Sequence, residues 1–299
     1  MYSNDQRLGA LLMTLSALMF AIMGLFIKMA AEDLGNEMVV FYRNLFGLIY
    51  LLPWLLRGGL GHLRSKRLGL HVTRSLLGLA AMYCFFYAIA NMQLSGAVLL
   101  NFSAPLFVPV IALLWLGESV PTPVRWALLI GYIGIIMILK PDASMFDSVA
   151  GIGVASGIFA ALAMTSIRRM SDTEPTTRIV FYYSVISTLV SAIPLSWAWQ
   201  STSADNLLYM LIAGIAATSG QLLMTRAYAH APAARVGPFM YLTVVFAAIF
   251  GWLIWTEVPD LLSFIGAALV VIAGVLSVRL VRPARNTTTA SQTDPGKSA

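Results

Sequence analysis

Thirteen acids, nineteen bases, three histidines and one cysteine are the ionisable or nucleophilic groups of this 299-residue chain, and they do not form a catalytic centre. His62, His71 and His230 have neither cysteine nor carboxylate at ligand spacing, so no metal site and no activated nucleophile is expected. A Walker-type loop is absent too, which argues against ATP-driven work by this chain. No catalytic residue, cofactor or metal is therefore assigned, and a membrane-embedded enzyme or a channel is the weaker alternative of another class.

The residue types that remain suit reversible binding. Tyr83 and Tyr87, and Gln221 and Thr225, are spaced by four, which puts each pair on one helix face. Tyr241, Thr165 and Asn101 add isolated hydrogen-bonding groups inside apolar sequence. Pro105 and Pro109 follow Asn101 and lack the amide protons that would bond the carbonyls of Asn101 and Pro105. Such freed carbonyls line a wet cavity or are covered by a neighbouring helix, and the residues leave both open. Tyr83, Asn101, Gln221, Tyr241, Tyr87, Thr165 and Thr225 are the candidate substrate contacts.

Arg43 is the most informative charge, because it lies about 9 Å inside an apolar run at 1.5 Å per residue. A cation at that depth pairs with a carboxylate, meets an anionic substrate group or snorkels to the interface. Glu32, Asp33 and Glu37 are the near acids, so an outer or structural ion pair is the first expectation. All thirteen acids fall in loops, tails or run ends, leaving no carboxylate at mid-depth. Since ion-coupled carriers often place one there, the expected energetics are facilitated transport or exchange, or weak coupling through an end group such as Glu118 or Glu257.

The elements that must position these groups are apolar runs. With 59% hydrophobic and only 11% charged residues the composition is not that of a soluble domain. A hydrocarbon layer takes about 20 apolar residues per helix, and spans are expected at 8–31, 36–56, 71–92, 95–117, 124–140, 150–170, 177–199, 206–229, 235–256 and 261–281. Their unbroken apolar character favours helices over alternating barrel strands. The first run lacks a small-residue cleavage site and reads as a retained helix. Cys84, the single cysteine, excludes an internal disulfide. Residues 282–299 are polar and aperiodic, as expected of a disordered tail.

With the N-terminus inside, sixteen of the nineteen bases fall on cytoplasmic segments, Arg74 among them, and only Lys28, Arg43 and Lys140 face outward. That bias follows the positive-inside rule and puts both termini in the cytoplasm of a bacterial inner membrane. It also accounts for the net charge of +6 without a nucleic-acid partner.

The sequence repeats at an offset of 139 to 141. Val40-Phe41-Tyr42 pairs with Val180-Phe181-Tyr182, Pro53 with Pro194, Tyr87-Ala88 with Tyr228-Ala229, Trp115 with Trp255, and Glu118 with Glu257. Each repeat holds five spans, an odd number, so the second copy enters the membrane from the other side. Glu118 and Glu257 then mark opposite faces, each available for a gate ion pair: Glu118 with Arg125 or Arg74, Glu257 with Lys28 or Lys140. Gly153 and Gly157 form a small-xxx-small pair that suggests close helix packing.

Phe41-Tyr42-Arg43-Asn44-Leu45-Phe46-Gly47, then Asn101-Phe102-Ser103-Ala104-Pro105-Leu106-Phe107-Val108, Leu116-Gly117-Glu118 and Trp255-Thr256-Glu257 resemble the drug/metabolite transporter superfamily with EamA-type repeats. The resemblance covers residues 8–281 and implies an all-α membrane protein, ten helices as two inverted five-helix repeats (8–140 and 150–281) around a central cavity. It implies a secondary transporter for a small organic metabolite, amino-acid-like or nucleoside-like, that works by alternating access, with a riboflavin- or S-adenosylmethionine-type uptake carrier of the same fold as the alternative. The second copy departs from the pattern at Tyr183, where the first has Arg43. With one intramembrane base in view, the expected cargo is neutral or zwitterionic. The expected partners are a small-molecule substrate and the bilayer, for a monomer or weak homodimer.

Overall fold

The computed structural model describes residues 4–57, 65–116, 122–139, 148–170, 173–230 and 237–280. Regular structure among them is helical throughout. The order is α1 (Asn4–Ala30), α2 (Asn36–Arg57), α3 (Leu68–Asn91), α4 (Leu94–Asn101), α5 (Ala104–Leu116), α6 (Thr122–Leu139) and α7 (Ser148–Met170). Then come α8 (Thr176–Ala192), α9 (Leu195–Ala198), α10 (Ala204–His230), a 3-10 turn (Gly237–Tyr241), α11 (Leu242–Trp255) and α12 (Leu261–Leu280).

Among the described residues four helical segments are long and apolar enough to cross a bilayer: Arg7–Ala30, Leu68–Asn91, Ser148–Ile167 and Ala204–Met224. Leu68–Asn91 has the lowest mean hydropathy of the four, 1.5, because it carries Arg74 and His71. Of the other expected spans, 36–56 is the unbroken helix α2 and 124–140 the unbroken helix α6, and the rest are shorter apolar helices or helices in two pieces. Expected span 4 breaks between α4 and α5, where Ser103 turns both its amide (3.3 Å) and its hydroxyl (2.6 Å) onto the Leu100 carbonyl. Expected span 7 breaks at Pro194. This residue cannot donate to the Val190 carbonyl, and the Ile193 amide takes that carbonyl at 3.2 Å instead. Glu118, Lys140 and residues 282–299 lie outside the described residues, as do the side chains of Pro105, Pro109 and Thr225.

Polar side chains set several helix starts. Ser203 Oγ accepts the Asn206 amide (3.2 Å) at the head of α10, and Asp260 accepts the Ser263 amide (2.9 Å) and hydroxyl at the head of α12. The main packing pairs are α1 with α10, α3 with α7, and α6 with α12, joined by α2 on α10 and α8 on α3. Glycines allow the close approaches. A Cβ on Gly157 of α7 would meet the Leu100 carbonyl at 2.7 Å, and one on Gly134 of α6 would meet the Gly266 carbonyl at 2.6 Å. The break in span 4 is thus roofed by α7. The largest apolar cluster gathers residues of α1, α2, α3, α4, α8, α10 and α11 around Ile27, Met38, Phe86 and Leu94.

Candidate functional site

Three polar stations interrupt this apolar packing, one at each end of the bundle and one inside it. The first ties α1 to the α3–α4 connection and to the end of α11. Lys28, in the last turn of α1, donates to the Met92 carbonyl at 2.9 Å and forms an ion pair with Glu257. The other Glu257 oxygen accepts the Leu94 amide at 2.8 Å, at the positive end of α4. The Lys28 ammonium also lies 5.0 Å from the Trp255 ring centre, and the Trp255 indole donates to Glu32 at 3.0 Å. Backbone geometry aims the glutamate. Thr256 is left-handed at φ 53°, which turns the chain back so that the Glu257 amide bonds the Gly251 carbonyl at 3.1 Å. A Cβ on Gly251 would stand 2.7 Å from the Glu257 carboxylate and would push it from its place. Beside this closure a cleft of about 400 Å³ is lined by Glu32, Asp33, Asp205, Asn206 and Tyr209 among others.

Another cation rests on a tryptophan in the other half of the chain. The Arg169 guanidinium, at the end of α7, lies 5.2 Å from the Trp115 ring centre at the end of α5. Trp115 and Trp255 are the tryptophans paired by the repeat.

A second station joins the start of α3 to that of α8. Glu174 is buried, and it accepts Ser65 Oγ at 2.6 Å and the Arg178 guanidinium at 2.7 Å, with His71 Nε2 at 3.7 Å. His71 stacks on Tyr182 with ring centres 4.5 Å apart. Burial alone pushes the Glu174 carboxyl up, but the hydrogen bonds from Ser65 and Arg178 and the nearby positive charge outweigh it and hold it below its ordinary range.

The third station is inside the bundle. Arg43 of α2 is only 7% exposed, and its Nη1 donates to Asn44 Oδ1 at 3.0 Å. It does not reach Glu32, Asp33 or Glu37, which corrects the ion pair expected from the sequence. The six-residue step from Glu37 rotates Arg43 about 120° around the helix from it. Glu32 and Asp33 are engaged by Trp255 and Asn206. Instead Arg43 faces Tyr183 of α8, its own counterpart in the repeat. Arg74 of α3 meets the same tyrosine, with its guanidinium 3.9 Å from the ring centre. The two arginines are close enough for their charges to act on one another, and no described carboxylate forms a salt bridge with either.

Sequence reasoning placed Arg74 with the cytoplasmic bases. Its position inside the expected span 71–92 was the signal that it belongs to the membrane-crossing helix.

The other candidates scatter. The Tyr83 and Tyr241 hydroxyls are buried without a hydrogen-bond partner among the described residues. Tyr87, in register with Tyr83, is 39% exposed. Thr165 is buried with its hydroxyl donated to the Ala161 carbonyl at 2.9 Å, inside its own helix. Asn101 closes α4 at the break, and Gln221 follows Gly220, whose carbonyl accepts Ser16 Oγ at 2.7 Å. Arg125 is exposed.

The family description "EamA-like transporter family" matches residues 7–140 and, a second time, residues 148–279. The chain belongs to the EamA-like transporter family. It is a multi-pass membrane transporter and not an enzyme. Over 270 residues this transporter is 37% identical to the pseudopaline exporter of Pseudomonas aeruginosa, covering 89% of its own length and 94% of that protein. The S-adenosylmethionine uptake transporter of Rickettsia conorii is 26% identical over 82% of this chain and 83% of its own. The riboflavin transporter of Vibrio cholerae is 29% identical over 89% and 91%. A solved crystal structure with 15% identity superposes at a TM-score of 0.63, covers 90% of this chain and 96% of that one, and shares the fold. These relatives imply a small-molecule substrate.

Proposed function

We propose that this protein is a secondary transporter that moves a small organic metabolite across the bacterial inner membrane by alternating access. Its two five-helix halves are inverted copies and both termini are cytoplasmic. The observation that carries the reading is the pair of cation–tryptophan contacts, Lys28 on Trp255 and Arg169 on Trp115. The repeat offset of 139 to 141 relates Trp115 to Trp255 and brings Lys28 to Arg169. Inversion sets the two contacts at opposite membrane faces, where each can act as one end's closure. The helix pairs agree: exchanging the halves turns α1 on α10 into α7 on α3, and α2 on α10 into α8 on α3, and each of these packs.

Lys28 and Glu257 close the outer end in this reading, and the Glu174 cluster holds the cytoplasmic ends of α3 and α8. Glu118 is the sequence counterpart of Glu257 for the inner end. Tyr83, Asn101, Gln221 and Tyr241 are the polar groups we assign to the path between. Among the relatives one is named an exporter and another an uptake transporter, so the fold serves both directions.

The test is a reversible lock. In a Cys84→Ser background, Lys28→Cys and Glu257→Cys are bridged with a short bifunctional thiol reagent. Counterflow of substrate in proteoliposomes should stop when the bridge forms and return on reduction. Full transport through the bridged protein would overturn alternating access at this closure.

A further inference from the structure

We infer that Arg43 and Arg74, with Tyr183 between them, form the substrate's anion site, and that the cargo therefore carries a carboxylate. This deepens the transport reading and rests on it. Arg43 lies about 10 Å along α2 from its start at Asn36, and Arg74 about 9 Å along α3 from Leu68. Both side chains interact with Tyr183.

Two features point to an anion. One is charge: two guanidinium groups, always protonated, share one tyrosine with no carboxylate bound to either among the described residues. A buried cation is costly unless paired, and a second beside it raises the cost. The other is the kind of orphan. Arg43 Nε, Arg74 Nε, Arg74 Nη1 and Asn44 Nδ2 are buried without a hydrogen-bond partner among the described residues, and all four are donors. Ser187 Oγ, one turn beyond Tyr183 on α8, and Ser75 Oγ, next to Arg74 on α3, are also unpartnered and supply hydroxyls.

The neutral or zwitterionic cargo expected from the sequence rested on a single intramembrane base, and the fold supplies a second. The donors are dry in this conformation. Anion entry requires α3 and α8 to part at their cytoplasmic ends, where Ser65, Glu174, Arg178 and His71 hold them together.

The test uses the full chain in nanodiscs of phosphatidylcholine alone and reads thermal stability against citrate, glutamate, inorganic phosphate and the neutral diamide succinamide. The carboxylates should raise the melting temperature and succinamide should not. Arg43→Gln and Arg74→Gln should each weaken that response at least tenfold, with melting temperatures in the absence of anion equal to or above that of the wild type. Arg43→Lys and Arg74→Lys, which keep the charge, should retain part of the response. Phosphate acting as strongly as citrate would overturn the carboxylate assignment. An Arg43-dependent stabilisation that appears only when phosphatidylglycerol is added would assign the site to lipid and overturn the proposal. Equal response in wild type and both glutamine variants, or loss of stability in both with no anion response in the wild type, would also overturn it. Binding is read without transport, so the two readings fail separately. Anion binding without counterflow would sink the carrier, and counterflow of neutral cargo without anion binding would sink the site.

Discussion

The contact of α2 with α10 and that of α8 with α3 are the same contact in the two halves of the repeat, yet they are built from opposite chemistry. In the first, Gly214 of α10 lies against the backbone of α2. A Cβ there would meet Phe46 Cβ at 2.7 Å, the Gly47 amide at 3.0 Å and the Arg43 carbonyl at 3.2 Å. The join is dry and backbone to backbone, with Thr218 Oγ1 donating to the Gly47 carbonyl at 3.4 Å. In the second, the facing surfaces hold Arg74, Tyr183 and the unpartnered Ser187, and the helix ends are tied through Glu174. Duplication preserved the packing and let the chemistry diverge. One join is a close-packed seam, while the other carries buried charge that costs stability.

The seam should be the easier one to break by size. Gly214→Val pushes two methyl groups into atoms that cannot move without shifting α2, and we expect a loss of more than about 3 kcal/mol. Little folded protein should survive extraction, as judged by size-exclusion profile and melting temperature. Near-normal stability would mean that the α2–α10 join yields as readily as its counterpart.

Glu174→Gln attacks the charged join at its end, with an expected cost of about 2 kcal/mol from hydrogen bonds to a buried ion. The pH dependence is specific. Glu174 titrates below its ordinary value in the folded protein, so its stabilisation is complete above about 4.3, the ordinary glutamate value. It is lost only as pH falls from there through the lowered value. Melting temperature measured down the acid limb should fall in the wild type and flatten in the variant. An unchanged acid limb would remove Glu174 from the latch.

The sequence made the seam legible in outline and the charged join only in part. Continuous apolar runs imply helices, Pro105 and Pro109 flag an interruption near the α4–α5 break, and the repeat identifies Arg43 and Tyr183 as counterparts. The sequence across Pro194, where α8 divides from α9, reads instead as one unbroken span. Lys28 could be named, with Lys140, as a partner for Glu257 because the expected inversion puts them at one face. Arg74 was hidden by a rule that is right on average: bases near a cytoplasmic end belong to the cytoplasm. Its long side chain climbs α3 toward Gly78, and only the packing of α8 shows which way it points. Tyr87 shows the converse. Helical spacing aligned it with Tyr83, but a shared face does not give a shared environment: the Tyr83 hydroxyl is buried and Tyr87 is 39% exposed.

Gly78→Ala gives the smallest change in stability and the sharpest contrast with Gly214. The new methyl meets the Arg74 guanidinium and, at 3.0 Å, the Tyr183 ring edge. The first is the end of a flexible side chain and can swing aside. The helix gains up to about 1 kcal/mol from replacing glycine by alanine, which offsets a crowding penalty of similar size. Net stability should thus stay within about 1 kcal/mol of the wild type. Displacing Arg74 from the ring nevertheless separates it from Arg43, so the stabilisation by citrate should fall several-fold while the fold holds. If Gly78→Ala leaves the citrate response intact, Arg74 does not need its place on Tyr183, and the difference between the two joins reduces to tolerance of volume.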